Sequence, residues 1–164
     1  PSISPSMDIE VSSNFERALC WAQDKDGAAG AGLMQELKTK GSFKISPNAM
    51  TALAAAYDSG TADEATTSET MTRTLFERAE LLCPHSAVGV HVGAQHAHRA
   101  PKTPMITLAT AHPAKFPDAV EKATGVHPPL PKRMADLYDR PERVTQVANN
   151  LAAIQALILE KRRA

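Results

Sequence analysis

Thr110, His112 and Lys115 fall within six residues of one another, at and directly after the end of the apolar run Pro104-Met105-Ile106-Thr107-Leu108-Ala109-Thr110. In open α/β sheets, ligands bind just beyond the carboxyl ends of parallel strands, where loops enter helix N-termini. A hydroxyl at Thr110 could therefore donate to an acceptor held in such a crevice; equally, it could cap the turn that follows. His112 is open in the same two ways. Lys115, one turn further on, is suited to face a phosphate or carboxylate as a positive charge. His85 follows Pro84 in what reads as a first helical turn, where the helix dipole disfavours the protonated ring. It is either a neutral donor or acceptor in a crevice or a satisfied core histidine.

Other reactive residue types are less well placed. His91, His96 and His98 invite a metal reading, but spacings of five and two make the rings diverge on a helix, and no Cys or carboxylate completes a set, so no metal is expected. The one metal-based alternative is a small helical protein using those three histidines. Gly41-Ser42-Phe43-Lys44 has the look of a nucleophile segment. Lys44, however, lies in a short linker, and a Schiff-base lysine needs burial to lower its pKa. Cys20 and Cys83 are too few and too far apart for a disulfide scaffold, a zinc ribbon or a redox pair, and read as small buried hydrophobes.

The elements that must position these groups are mostly helical. Ser13 followed by Glu16 forms a capping box opening a helix to about residue 23. After a break at 24–27, Leu33 and Leu37 recur at helical spacing through 28–40, ended by Gly41, so that two antiparallel helices are the simplest picture. Ser46-Pro47 supplies a cap and a first-turn proline for an alanine-rich helix to Tyr57. The Ser/Thr/acidic stretch 58–72 starts as a loop, with helical spacing from about 69 to 82 through Met71, Leu75, Ala79 and Leu82. A further helix starts at Pro84, capped by Cys83 or a neighbour. Its face carries Ala87, Gly89, Gly93 and Ala94, small enough to lie close against a sheet. The run 104–110 reads as a buried parallel strand. Beyond it come a helix at about 118–124 stopped by Gly125, a rigid loop at 127–131, a helical stretch 133–138, an extended stretch 143–147 and an amphipathic helix 150–161. One strand cannot make a sheet; the pattern fits the last portion of a doubly wound α/β fold whose other strands lie upstream. The two prolines among the opening five residues suit a connection, which points the same way.

Composition narrows the class. The 164 residues are 43% hydrophobic, enough for a core, and 18 basic side chains balance 18 acidic ones. No excess charge draws the chain to nucleic acid or anionic lipid, and no apolar run approaches the roughly 20 residues of a membrane span. A cytoplasmic protein is expected.

The segment Thr107-Leu108-Ala109-Thr110-Ala111-His112-Pro113-Ala114-Lys115-Phe116-Pro117-Asp118-Ala119-Val120-Glu121-Lys122 resembles the signature region of the threonine synthase family in its bacterial and fungal long-chain form. Ser4-Pro5-Ser6-Met7-Asp8-Ile9 through Ser12-Ser13-Asn14-Phe15-Glu16-Arg17, and Pro84-His85-Ser86-Ala87-Val88-Gly89, resemble two further family segments in the same order. The resemblance runs essentially from residue 1 to the terminus. It implies a helix-rich α/β chain, the C-terminal part of the pyridoxal-phosphate-dependent fold type II, tryptophan-synthase-β-like architecture. Residues 1–164 would form the C-terminal segment of a catalytic domain whose cofactor lysine and phosphate-binding loop lie upstream. The implied activity is conversion of O-phospho-L-homoserine and water to L-threonine and phosphate, in which this segment by itself is inactive. The implied partners are the upstream portion and the small-molecule substrate. Thr110 matches the family position whose hydroxyl contacts the cofactor's pyridine nitrogen. His85, His112 and Lys115 fall in family motifs as possible supporting groups, and Asn14 and Arg17 at the rim of the site. Lys44 falls in the wrong part of the chain for the cofactor lysine. The alternative is a non-catalytic helical interaction or regulatory module that inherited the similarity without the activity.

Overall fold

The computed structural model describes residues 2–9, 13–99 and 101–162. Seven α-helices are present among them: α1 (Ser13–Ala22), α2 (Gly27–Lys40), α3 (Pro47–Ala56), α4 (Glu64–Arg78), α5 (Pro84–Ala97), α6 (Pro117–Thr124) and α7 (Leu151–Lys161). The chain divides into two units, 1–129 and 130–164.

Local chemistry accounts for most helix ends. Asp26 accepts from the Ala28 and Ala29 amides at 2.9 and 3.0 Å, Ser46 from Ala49 at 3.3 Å, Asp63 from Thr66 at 2.8 Å and Asn150 from Ala153 at 2.8 Å. Each such cap stabilises its helix by about 1 kcal/mol. Gly41 and Gly125 end α2 and α6 in the left-handed conformation. The expected capping box at α1 rests on the Ser13 side chain, which lies outside the described residues.

The first unit is built on two cores. Leu19 and Ala22 of α1 meet Ala49 and Leu53 of α3, with Met34 of α2, Phe43 and Ile45 packed around them. Met71 of α4, Leu82, Ala87 of α5 and Val120 of α6 form the second, with Leu81, Val90 and Ala123 against it. Every site residue after residue 80 hangs on this second core.

Expectations in three parts of the chain are corrected. The Ser/Thr/acidic stretch is loop only as far as Asp63: α4 begins at Glu64 rather than at about 69, and Thr67 and Thr70 are buried in it. The buried Thr70 hydroxyl is tolerated because it bonds within the helix to the Thr66 carbonyl, as the half-buried Thr74 hydroxyl does to the Thr70 carbonyl, both at 2.7 Å. Thr72 in addition reaches the Ala123 carbonyl at 2.7 Å and ties α4 to α6. The helix also stops sooner, at Arg78, where Ala79 turns left-handed at φ 56°, leaving Leu82 to enter the core from a loop. In the second unit, 133–138 forms two short 3-10 turns, Lys132–Met134 and Leu137–Asp139, and 143–147 is irregular and exposed. Nor does α7 have an apolar face committed to a core: none of its residues is buried, and Leu151, Ile158 and Leu159 are exposed.

The third correction is the strand. No strand occurs among the described residues, and 104–110 carries no ladder. A ladder needs a second extended segment to exchange N–H···O=C bonds with, and the described residues present none alongside. The segment nevertheless keeps the alternation of a strand. A Cβ added at Gly89 would lie 3.1 Å from Thr107 Cγ2, and one at Gly93 would lie 3.2 Å from Thr107 Oγ1 and 3.4 Å from Met105 Cγ. Met105 and Thr107 therefore press on the small-residue face of α5, whereas Ile106 (81% exposed) and Leu108 (75%) stand away from it. Residues 105, 107 and 110 meet residues 93, 89 and 86 in turn, so the segment runs antiparallel to α5, as strand and preceding helix do in an αβ unit.

Because the contact is this close, Gly89→Leu is expected to lower stability by about 1–3 kcal/mol through overpacking. Gly32→Ala, with nothing within 4 Å of the added methyl, should raise it by up to about 1 kcal/mol. Denaturant midpoints of the two variants check both signs.

Candidate functional site

The site-bearing residues gather around the N-terminus of α5. This turn is almost wholly inaccessible: Cys83, Pro84, His85, Ser86 and Ala87 are all buried. Pro84 occupies the first helical position, where its missing N–H costs no hydrogen bond. Cys83 is the cap, its sulfur accepting from the Ser86 amide at 3.4 Å.

His85 joins three segments. Its Nε2 accepts from the Ser6 amide at 3.0 Å, and its ring lies 4.5 Å from the Phe116 ring, tilted by 48°. The accepting Nε2 requires the proton on Nδ1, and Nδ1 is buried without a hydrogen-bond partner. Burial holds the ring's pKa below its ordinary value, and the Lys115 charge pushes the same way against a weaker opposing pull from Asp8. The segment His85 holds is itself closed by Asp8, which accepts from the Ser2 amide at 2.7 Å and from the Ser2 hydroxyl at 3.0 Å. Those bonds keep the Asp8 carboxyl below its ordinary pKa.

Thr110 sits on the other side of the same turn, its amide donating to Ser86 Oγ at 3.2 Å. A crevice of about 260 Å³ lies between α5 and the chain here, walled by Cys83, Ser86, Ala109, Ala111 and His112 among others. Ala109 and Ala111 face it, which puts Thr110 on the opposite side with Ile106 and Leu108, and Thr110 is exposed. Capping of the following turn is done by His112 instead: its Nδ1 accepts from the Ala114 amide at 3.1 Å, at the head of the 3-10 turn Pro113–Lys115. Lys115 is exposed, with Nζ 5.8 Å from the centroid of the Phe116 ring.

The structure thus brings His85, His112, Thr110 and Lys115 to one end of α5. Asn14 and Arg17 belong elsewhere: they bond to each other across the first turn of α1, and Asn14 borders an apolar groove with Phe15, Met50 and Tyr57. Lys44 is exposed between α2 and α3. His91 lies 2.8 Å from the Gln95 amide nitrogen and His96 faces Asp58, which Arg99 also holds. Among the described residues no group of three or more His, Cys, Asp or Glu is arranged to hold a metal ion, and no helix is long and apolar enough to cross a membrane. Ser86 was not singled out from sequence. The signal available was a hydroxyl three residues after a cap, where a side chain normally serves its own helix.

Comparison with known proteins places this arrangement. Residues 86–158 match the family described as "Threonine synthase, C-terminal". The chain is 44% identical over 159 residues to threonine synthase of Pseudomonas aeruginosa, covering 96% of this chain and 34% of that one. It is 33% identical over 145 residues to human threonine synthase-like 2, covering 88% and 30%. Among solved structures, PLP-bound threonine synthase from Brucella melitensis superposes with a TM-score of 0.78 at 43% identity, over all of this chain and 35% of that one. Threonine synthase from yeast gives 0.71 at 27% identity, over 98% and 36%. The fold is therefore the C-terminal part of the helix-rich α/β, fold type II architecture that the resemblance implied. By sequence and structure this chain resembles the C-terminal portion of threonine synthases. It spans about a third of the length of the relatives it matches.

A neutral, buried His85 makes stability pH-dependent in a defined direction. Its folded pKa lies below the unfolded value of about 6.5, so the unfolded chain takes up the proton first on acidification. The stabilisation is complete above about pH 6.5 and is lost as pH falls toward the folded pKa. His85→Gln, whose side-chain oxygen can still accept from Ser6, should flatten that part of the stability–pH curve measured by urea unfolding.

Proposed function

We propose that this chain is the C-terminal part of a threonine synthase, a pyridoxal-phosphate-dependent lyase of the cytoplasm that converts O-phospho-L-homoserine and water to L-threonine and phosphate. The observation that carries the reading is the 44% identity to a threonine synthase across nearly the whole chain. The site residues suit the cofactor. Thr110 is exposed, lies on the side of its segment turned from α5, and leaves the capping of the next turn to His112. That arrangement suits a hydroxyl meant for a ring nitrogen approached from the opposite side.

When bound, pyridoxal phosphate supplies an electron sink for negative charge developing on the substrate. Thr110 would meet its ring nitrogen with a neutral hydroxyl. Unlike an aspartate, it would not hold that nitrogen protonated, which would temper the sink and favour elimination and replacement over transamination. Lys115 offers a solvent-facing positive charge to a phosphate or carboxylate. His85 stays neutral beneath it and holds the 2–8 segment against α5. The lysine that binds the cofactor, and the other strands that would flank 104–110, belong to the upstream portion; Ile106 and Leu108 are the apolar side chains that portion would cover.

The test is phosphate release from O-phosphohomoserine with added pyridoxal phosphate, by this chain and by a chain that also carries the upstream portion. Release by the longer chain alone is expected. Release by the short chain would place the cofactor lysine at Lys44 or Lys115 and overturn the reading, and release by neither would overturn the substrate. In the longer chain Thr110→Ala is expected to lower turnover by about tenfold or more, while the melting temperature stays within a few degrees.

A further inference from the structure

Resting on the reading of Thr110 as the cofactor-facing hydroxyl, we infer that Ser86 is a positioning residue of that site, fixing the Thr110 backbone and through it the direction of the hydroxyl. Ser86 is 3% exposed, and its Oγ accepts the Thr110 amide at 3.2 Å, across 24 residues of sequence. Its own hydroxyl proton has an acceptor at hand, because Cys83 Sγ lies 3.2 Å away. A chain of hydrogen bonds therefore runs from the Thr110 N–H through Ser86 Oγ to the Cys83 sulfur, the last two in the buried start of α5.

Three physical features make this clamp specific. Ser86 occupies the third helical position, where a polar side chain usually turns back to the cap residue's own amide; here its acceptor goes to Thr110 instead. Thr110 is β-branched and therefore stiff about χ1, so holding its backbone N–H holds its hydroxyl as well. The segment 104–110 has no ladder, which leaves the Ser86 bond as the polar contact that sets its end against α5. A displacement of 1 Å at a group that meets a cofactor is enough to cost activity.

The test uses the longer chain with the upstream portion, in Ser86→Ala, Ser86→Thr and Thr110→Val variants. In the cofactor-free protein, amide exchange at Thr110 should speed up by about fivefold to tenfold in Ser86→Ala, as expected for loss of one ordinary hydrogen bond, and return in Ser86→Thr. With pyridoxal phosphate bound, Ser86→Ala should shift the cofactor absorption band in the direction seen for Thr110→Val. It should lower kcat by a comparable factor of about ten with little change in KM, whereas Ser86→Thr should retain the parent band. If Thr110→Val changes the band and kcat but Ser86→Ala leaves Thr110 exchange and the band unchanged, the positioning role is refuted and the Thr110 reading stands. If Thr110→Val itself leaves the band unchanged, the reading of Thr110 is refuted and the inference falls with it.

Discussion

The buried first turn of α5 is the constraint on which the site depends. A helix start leaves its first amides without intrahelical partners, and burying such an end is costly unless side chains supply acceptors. Here the Cys83 sulfur takes the Ser86 amide, and two side chains of that turn also reach outward to other segments. His85 accepts from Ser6 and Ser86 accepts from Thr110. One turn of helix thereby fixes a segment from near residue 5 and another from residue 110, which approach it on separate sides.

That arrangement requires α5 to be held rigidly, and the second core does so. Met71, Leu82, Ala87 and Val120 converge beneath the turn, and Thr72 links α4 to α6 through the Ala123 carbonyl. Above the turn the helix offers only small residues, so 104–110 can lie against it at contact distance. Gly89 and Gly93 carry a helix-propensity cost of roughly 1 kcal/mol each relative to alanine. The close approach of Thr107 is the structural reason that cost is tolerated.

Electrostatics around the turn are organised by burial rather than by ion pairs. The Lys115 charge lies near His85 and pushes its pKa in the same direction as desolvation, so the ring remains a neutral acceptor for Ser6. A protonated ring would turn Nε2 into a donor facing another donor. The Nδ1–H of His85 is a buried side-chain donor of the turn without a hydrogen-bond partner, and its ring lies beside the Phe116 ring.

The helices with standard punctuation were legible in the sequence, because Ser46, Gly41, Gly125 and the Pro84 start act through neighbours a few residues away. The family resemblance was legible too, since it lies in the order of motifs along the chain. The start of α4 was not: a run of Ser and Thr reads as loop until packing lets hydroxyls such as those of Thr70 and Thr74 bond to the carbonyl one turn back. Residues 104–110 had the pattern of a strand, but pattern alone does not supply the partner backbone a ladder requires. His112, placed by sequence between capping and ligand contact, is a cap in the structure. Only the tertiary structure decided that Ser86 meets Thr110 and that His85 meets Ser6, because hydrogen bonds spanning 24 and 79 residues depend on how helices pack and leave no periodic trace in sequence.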